Sequence, residues 1–529
     1  MAHESSGRHA FLVGAGILIS RIVGLVRQRV ISHYLGLSDT ADAFAAALRV
    51  PNFLQNLFGE GVLSASFIPV YARLLAEGDE READRVAGAV GSALALGSSI
   101  IVLLGMVFTP WLMWAIAPGY SGAKRELIIL LVRILFPGTG LLVCSAWCLG
   151  ILNSHRKFFL SYTAPVVWNL SIIATLLIFH KSALNPLAIK LAWGTVVGCV
   201  LQFAVQLPTV LALAPNLNFR LDLASAHVRE VTKNFFPVML SRGVVQVSAY
   251  IDLALASLLG KGAVAAMNTA QSIYTLPIGL FGMAVTAAEL PAMSSTIGEQ
   301  AAVAERLRAR LNAGLRQIAF FIVPSAMAFF TLGDVITAML YESGRFTHAD
   351  SLYVWAIVGG SAVGLLASTL GRLYQSTYYA MRDTRTPLKF AVLRVVLTLV
   401  LGVMAALGLP RLLGIAPQWG AAGLTASAGV SGWVEFALLR RTLNERIGAT
   451  GVAAGFLARL WGAAAASAGA AWMLRPVAAG WNRVIAGGLI LGVYGVMYFA
   501  VTWALRVPEC EGAVRRVMRF SGSSSRSRS

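Results

Sequence analysis

The feature that most constrains this chain is a series of continuous apolar runs, each long enough to cross a lipid bilayer as a helix. A spanning helix needs about 20 apolar residues, whereas the strands of an outer-membrane barrel alternate polar and apolar residues. Of the 529 residues, 57% are hydrophobic and 13% are charged, and soluble proteins carry roughly a quarter charged residues. The sequence therefore predicts an all-α polytopic membrane protein. Its 14 candidate spans lie at about residues 10–35, 42–72, 88–117, 126–153, 159–180, 187–214, 233–259, 264–295, 312–333, 352–380, 386–408, 418–440, 456–474 and 482–506.

A faint internal repeat suggests how these spans are grouped. Segments 57–59 and 280–282 both read Leu-Phe-Gly, and each is followed by a proline. Repeated lobes around a site near the bilayer midplane are a common transporter plan. The sequence thus predicts two lobes of six helices and two additional helices. The predicted divisions are residues 1–220 for the first lobe, 221–450 for the second, 451–506 for the last two helices and 507–529 for a basic, disordered tail.

The basic residues predict an orientation. Loops after even-numbered spans carry several arginines or lysines each, whereas loops after odd-numbered spans carry fewer. The positive-inside rule therefore places both termini in the cytoplasm, in agreement with an even number of spans. The net charge of +19 is spread over many short loops, which argues against a nucleic-acid partner and fits attraction to membrane lipids.

The densest group of polar residues inside the apolar runs lies between residues 20 and 71. An ionisable side chain at membrane depth costs at least a few kcal/mol, so it normally faces the protein interior and has a function. Prolines and glycines interrupt the second run, as in transporters whose broken helices line a cavity. The pattern predicts a positively charged cavity for an anionic substrate. The polar residues are Arg21, Arg27, Arg29, Asp42, Arg49, Asn52 and Glu60.

Several of these residues have a structural alternative. Arg21 and Arg27 could extend towards the interface, but Arg21 lies near mid-span, which favours a place in the cavity. Asp42 could start a helix or act in gating. Asn52 could satisfy carbonyl groups freed by the preceding proline, and Glu60 could form an ion pair.

No nucleotide-binding loop, HExxH or GxSxG motif occurs, so the sequence predicts a transporter without catalytic residues, cofactor or metal. Energy would then come from a coupling cation, sodium or a proton, or from the membrane potential. Asp252 is the first candidate for ion coupling, because it is the only acid in its span. Asp383 with Thr398 is a second candidate group, and the RDTRTP turn around Asp383 also fits a capping role.

Several segments resemble the MurJ (MviN) lipid II flippases, within the superfamily of multidrug and polysaccharide exporters. The most specific are SRIVGLVRQRVISHYLG and TADAFAAALRVPNFLQNLFGEGVLSASFIPVYARL, and further similar segments are ILNSHRKF, WNLSII, QSIYTLPIGLFGMAV, GRFTHADS and YYAMRDTRTPLK. The resemblance implies 14 helices in two lobes around a central cavity, with the last two forming a lipid-facing groove. It also implies a bacterial cytoplasmic (inner) membrane location and movement of the lipid-linked peptidoglycan precursor lipid II to the outer leaflet by alternating access. Other cell-wall synthesis proteins are possible partners.

The resemblance also implies site residues. By similarity, the cavity positions of the family match Arg21, Arg27, Asp42, Arg49, Asn52 and Glu60. Family members often carry arginine where this chain has Gln55, and an Asp-Arg pair where it has Gln271 and Ser272. We therefore expect Arg242 to supply the cation of the second lobe. The alternatives are export of another lipid-linked polysaccharide or of drugs, a polytopic glycosyltransferase, and a membrane scaffold.

Overall fold

The structure is a computed structural model and describes residues 2–222, 225–283, 285, 289, 293 and 300–512. Within this range it does not describe the side chains of residues 2–15, 17, 51, 60, 241, 242, 244, 245, 247, 248, 283, 300 and 301. The chain divides into two compact units, residues 1–265 and 266–529.

The first unit is built of long helices. In chain order they are α1 (Ala2–Leu35), α2 (Asp39–Phe58), α3 (Glu60–Ser66), α4 (Ile68–Ala76), α5 (Glu80–Ile116), α6 (Gly122–Ser154), α7 (Phe158–Phe179), α8 (Leu184–Leu213), α9 (Ala226–Ser257) and the first residues of α10 (Ala263–Pro277). Helix α6 packs against α2, α5 and α8, and α7 packs against α1 and α8. These contacts form the scaffold of the candidate site.

The second unit continues α10 into a π-helical turn, Ile278–Met283. The helices that follow are α11 (Gln300–Thr331), α12 (Gly333–Tyr341), α13 (His348–Ala380), α14 (Arg385–Val403), a π-helical turn (Met404–Gly408), α15 (Leu409–Leu413), a 3-10 turn (Pro417–Trp419), α16 (Gly420–Ile447), α17 (Ala454–Trp472) and α18 (Arg483–Ala504). Helix α13 packs on α11 and α16, and α17 packs on α11 and α18.

The predicted all-α membrane fold is confirmed, and the described residues of each predicted span lie mostly on helices. Within the described residues, nine helices are long and apolar enough to cross a membrane. The full number of 14 spans stays a prediction. The predicted tail lies outside the described residues from residue 513 onward.

The second apolar run is broken where the sequence predicted an interruption. Helix α2 ends at Gly59, whose backbone is extended at φ −88° and ψ −154°, and α3 begins at the next residue. A Cβ on Gly59 would lie 2.2 Å from the Gln55 carbonyl oxygen, so only glycine fits this break. The matching Leu-Phe-Gly segment of the second unit lies in the π-helical turn, which is also a departure from α-helix. Both copies of the repeat therefore mark an irregular backbone.

The division into units differs from the predicted lobe boundary at residue 220. Helix α9, which the prediction assigned to the second lobe, packs with α2, α3 and α5 of the first unit, and the division into lobes stays a prediction. Aromatic side chains contribute to this packing, because Phe58 of α2 lies 6.0 Å from Phe235 of α9 between ring centroids.

Close helix contacts stabilise the second unit. A Cβ on Gly364 would lie 2.3 Å from the Cα of Gly429, so α13 and α16 approach at backbone distance. Small residues allow such contacts between membrane helices. The hydroxyl groups of Tyr494 and Tyr498 donate to the Pro324 and Phe320 carbonyls at 2.7 Å each, which attaches α18 to α11.

Candidate functional site

Arg27 projects from α1 onto α7. Its guanidinium carbon lies 4.9 Å from the ring centroid of Trp168, within reach of a cation–π interaction. The exposed apolar side of α1 is formed by Leu18, Ile22 and Val26. At 100° per residue, Arg21 and Arg27 project to either side of this stripe. Both side chains are half-buried.

Arg49 links α2 to α9. Its Nη1 donates to the Ala249 carbonyl at 3.3 Å, and the Tyr250 hydroxyl donates to the Arg49 carbonyl at 3.1 Å. Phe53, one turn further along α2, meets the Tyr250 ring edge-on at 5.0 Å. These contacts show that Arg49 links α2 to α9. Asn52, on the same helix, is exposed.

Asp42 is fully buried, at 0% exposure, and holds three elements together. Its carboxylate accepts from the Gly262 and Ala265 amides at 2.7 and 2.8 Å, where α10 begins. It also accepts from Lys124 Nζ at 2.8 Å, and Lys124 donates to Asp39 as well. A carboxylate at a helix N-terminus is favourable because it pairs with amides that have no partner within the helix. The gating role of Asp42 stays a prediction, and this geometry identifies α10 as the element it holds.

Two predicted site residues cannot be placed. The side chains of Glu60 and Arg242 lie outside the described part of the structure. Ser272, where the resemblance implies that arginine is often found, forms a 2.7 Å hydrogen bond with the Tyr341 hydroxyl.

The first unit also contains a cavity of about 450 Å³ that sequence reasoning missed. It lies among α2, α3, α6, α7 and α8, and among the described residues none that lines it is charged. Only the spacing of serine and glutamine within apolar runs could have indicated it. Its polar lining consists of Gln55, Asn56, Ser64, Ser145, Ser161 and Gln202.

Asp383 and Thr398 are not brought together. Asp383 accepts from the Thr386 amide at 3.0 Å, from the Thr386 hydroxyl at 2.7 Å and from Arg446 at 2.7 Å, immediately before α14. These hydrogen bonds hold the pKa of Asp383 well below its usual value. Thr398 lies 13 positions into α14, and a rise of 1.5 Å per residue separates the two groups by about 20 Å. Asp383 therefore caps a helix, and one ion cannot touch both residues.

The second unit holds an intramembrane ion pair that the sequence analysis did not select. Arg394 of α14 donates to Glu435 of α16 at 3.1 Å, and Gln375 of α13 donates to the other oxygen at 3.0 Å. Arg372, also on α13, interacts electrostatically with both charged groups. The rule that selected Arg21 applies equally here, since each of these residues interrupts an apolar run.

Comparison with known proteins decides the family. The family model described as lipid II flippase MurJ matches residues 31–490. The chain belongs to the MurJ family. One MurJ-family relative, the lipid II flippase MurJ of Burkholderia cenocepacia, is 30% identical over 445 residues, which cover 83% of this chain and 84% of that protein.

Solved structures agree with the MurJ fold. A lipid II flippase MurJ in an inward closed conformation matches with a TM-score of 0.78 at 22% identity, over 94% of this chain and 98% of the other. An inward-facing multidrug resistance MATE transporter matches with a TM-score of 0.66 at 20% identity, over 80% of this chain and 95% of that transporter.

Because the MurJ family match begins at residue 31, Arg21 and Arg27 precede it. Their assignment rests on the resemblance of the opening segment and on their position on α1.

Proposed function

We propose that this chain moves lipid II from the inner to the outer leaflet of the bacterial cytoplasmic membrane by alternating access. The observation that carries the proposal is the MurJ family match over residues 31–490 of an all-helical membrane protein. The chain acts as a transporter, with no chemical step.

The arginines of α1 suit the pyrophosphate of this substrate. A guanidinium makes bidentate, charge-assisted hydrogen bonds to phosphate oxygens, which a lysine ammonium cannot reproduce. The Trp168 ring supports the face of the Arg27 guanidinium, and the N–H groups of a guanidinium point outward in its own plane. Arg27, with Arg21 nearby on α1, would hold the pyrophosphate. The polyprenyl tail would remain in lipid along a groove formed by residues 451–506.

Export of drugs or of another lipid-linked polysaccharide is the alternative, and the likeness to a MATE transporter motivates it. A site for a cationic drug needs acidic residues. The described part of the first-unit cavity has none, and α1 contributes arginines. These features favour an anionic lipid-linked substrate.

The test is to replace the essential flippase of a bacterium with this chain under depletion control. We expect growth to continue and lipid II to remain accessible to a membrane-impermeant hydrolase on the outer face. Loss of this chain should cause lipid II to accumulate in a protected inner pool. Normal outer-face lipid II after depletion, or failure to support growth despite insertion at wild-type levels, would contradict the proposal.

Energy coupling through a cation or the membrane potential forms part of the proposal. Because Asp383 caps a helix, Asp252 of α9 is the remaining acidic candidate for a coupling-ion ligand. Asp252 is half-buried and lies one turn from Ala249, whose carbonyl binds Arg49.

Surrounding membrane lipids and other cell-wall synthesis proteins are the proposed partners.

Both termini are proposed to be cytoplasmic, because the basic loops follow even-numbered spans. Reporter fusions after residues 80, 225 and 445 should report the cytoplasm, and a fusion near residue 346 should report the outside. An inverted signal at one position would disprove the span assignment from that point onward.

A further inference from the structure

The neutral cavity of the first unit is lined by uncharged side chains from five helices. On α7, Ser161 and Pro165 are four residues apart and line it. On α2, Gln55 and Asn56 line it. Its volume of about 450 Å³ lies in the range of small-molecule sites, about 300–1,000 Å³.

Helix α7 connects this cavity to Arg27. Spacings of four and three residues place Ser161, Pro165 and Trp168 on one side of the helix. The first two line the cavity, and Trp168 lies under the Arg27 guanidinium. Arg27 therefore packs on the same side of α7 that contributes Ser161 and Pro165 to the cavity wall. A group bound by Arg27 would lie next to the cavity.

A hydrogen-bonded chain of neutral side chains backs the cavity. Gln202 Nε2 donates to the Ser145 hydroxyl at 3.0 Å, and that hydroxyl donates to Gln206 Oε1 at 2.9 Å. Gln206 is 1% exposed, and its Nε2 has no hydrogen-bond partner among the described residues. Gln206 does not line the cavity itself, so the ligand-facing polar groups of this chain are those of Ser145 and Gln202.

We propose that this cavity receives the uncharged, amide-bearing sugar of the head group whose pyrophosphate Arg27 binds; this inference rests on the proposed function. Amide and hydroxyl side chains match the donors and acceptors of an N-acylated sugar. A neutral wall cannot offset the charge of a carboxylate, and burying an unpaired charge is costly. The charged peptide of the head group is therefore excluded from this cavity, and so is the apolar tail.

The test compares two lipids bound to the full-length protein in nanodiscs. One is a polyprenyl pyrophosphate without sugar, and the other is a polyprenyl pyrophosphate carrying an N-acetylated sugar. Gln202→Leu should weaken binding of the sugar-bearing lipid by about 3-fold to 10-fold, the effect of one lost hydrogen bond, and leave the sugar-free lipid unchanged. Arg27→Ala should weaken both lipids.

The matched control is Thr195→Val, also on α8 and buried, where the hydroxyl donates to the Leu191 carbonyl outside the cavity. It should change neither affinity. Ser64→Ala, at an exposed lining position, replaces Gln202→Leu if that variant does not fold. If Gln202→Leu weakened binding of both lipids equally, or left binding of the sugar-bearing lipid unchanged, the sugar assignment would be overturned. The proposed function would not be affected by either result. If the wild-type protein bound neither lipid, the proposed function would fail and this inference with it.

Discussion

Replacing Arg21 and Arg27 together by alanine is expected to abolish lipid II transport while the protein still inserts at normal levels. A hydrogen bond to a charged group contributes roughly 1.5–3 kcal/mol, so each substitution should lower substrate affinity about 10-fold to 100-fold. The family resemblance implies that Gln55 and Ser272 stand where arginine is often found, so this chain has neutral side chains at two positions that could otherwise compensate. Transport in proteoliposomes, with protein quantified in the same vesicles, measures the effect.

Lysine substitutions separate binding from packing. A lysine at Arg27 keeps the charge but loses the bidentate geometry, so it should restore only part of the activity. If Arg27 served only to pack on Trp168, lysine would be tolerated and alanine would lower protein level instead. Arg133→Ala is the matched control, since Arg133 is exposed on α6 and donates to the Met106 carbonyl. Normal transport by a well-inserted double alanine variant would refute the pyrophosphate assignment.

The helices were predictable because a bilayer imposes length and hydropathy on each span. The break at Gly59 was predictable because glycines and a proline interrupt this apolar run, and glycine also allows the close approach of the Gln55 carbonyl oxygen. Both signals are local. They can be read from a short window of sequence without knowledge of the neighbouring helices.

The partners of individual residues were not predictable. Asp42 binds amides at Gly262 and Ala265, and nothing in its own window indicates a helix start so far along the chain. The cavity position expected for Arg49 stays a prediction, and nothing in its own window indicated that its guanidinium donates to a carbonyl of α9. Neutral residues such as Ser145 and Gln202 are unremarkable within an apolar run. They form a cavity only because α6 and α8 pack together.

Arg394→Ala is expected to destabilise the second unit. Glu435 is 5% exposed, and without Arg394 it would keep the neutral Gln375 as its hydrogen-bond donor among the described residues, with Arg372 as a nearby cation that forms no hydrogen bond to it. Breaking a fully buried pair in this way costs about 3–5 kcal/mol. Because the Arg394 side chain is 39% exposed, we expect a smaller loss of about 2–3 kcal/mol in the free energy of unfolding.

The opposite substitution should cost less, because the two partners differ in burial. Glu435→Gln leaves Arg394 and the nearby Arg372 as unpaired cations among the described residues, and the Arg394 side chain is 39% exposed, so it can move towards solvent or the interface. The double variant Arg394→Ala, Glu435→Gln should therefore be more stable than Arg394→Ala alone, since no unpaired carboxylate remains. Thermal unfolding of the purified protein measures all three variants against wild type. Additive losses in the double variant would show that the two side chains do not act as a pair, and Glu435 would then need another partner at membrane depth.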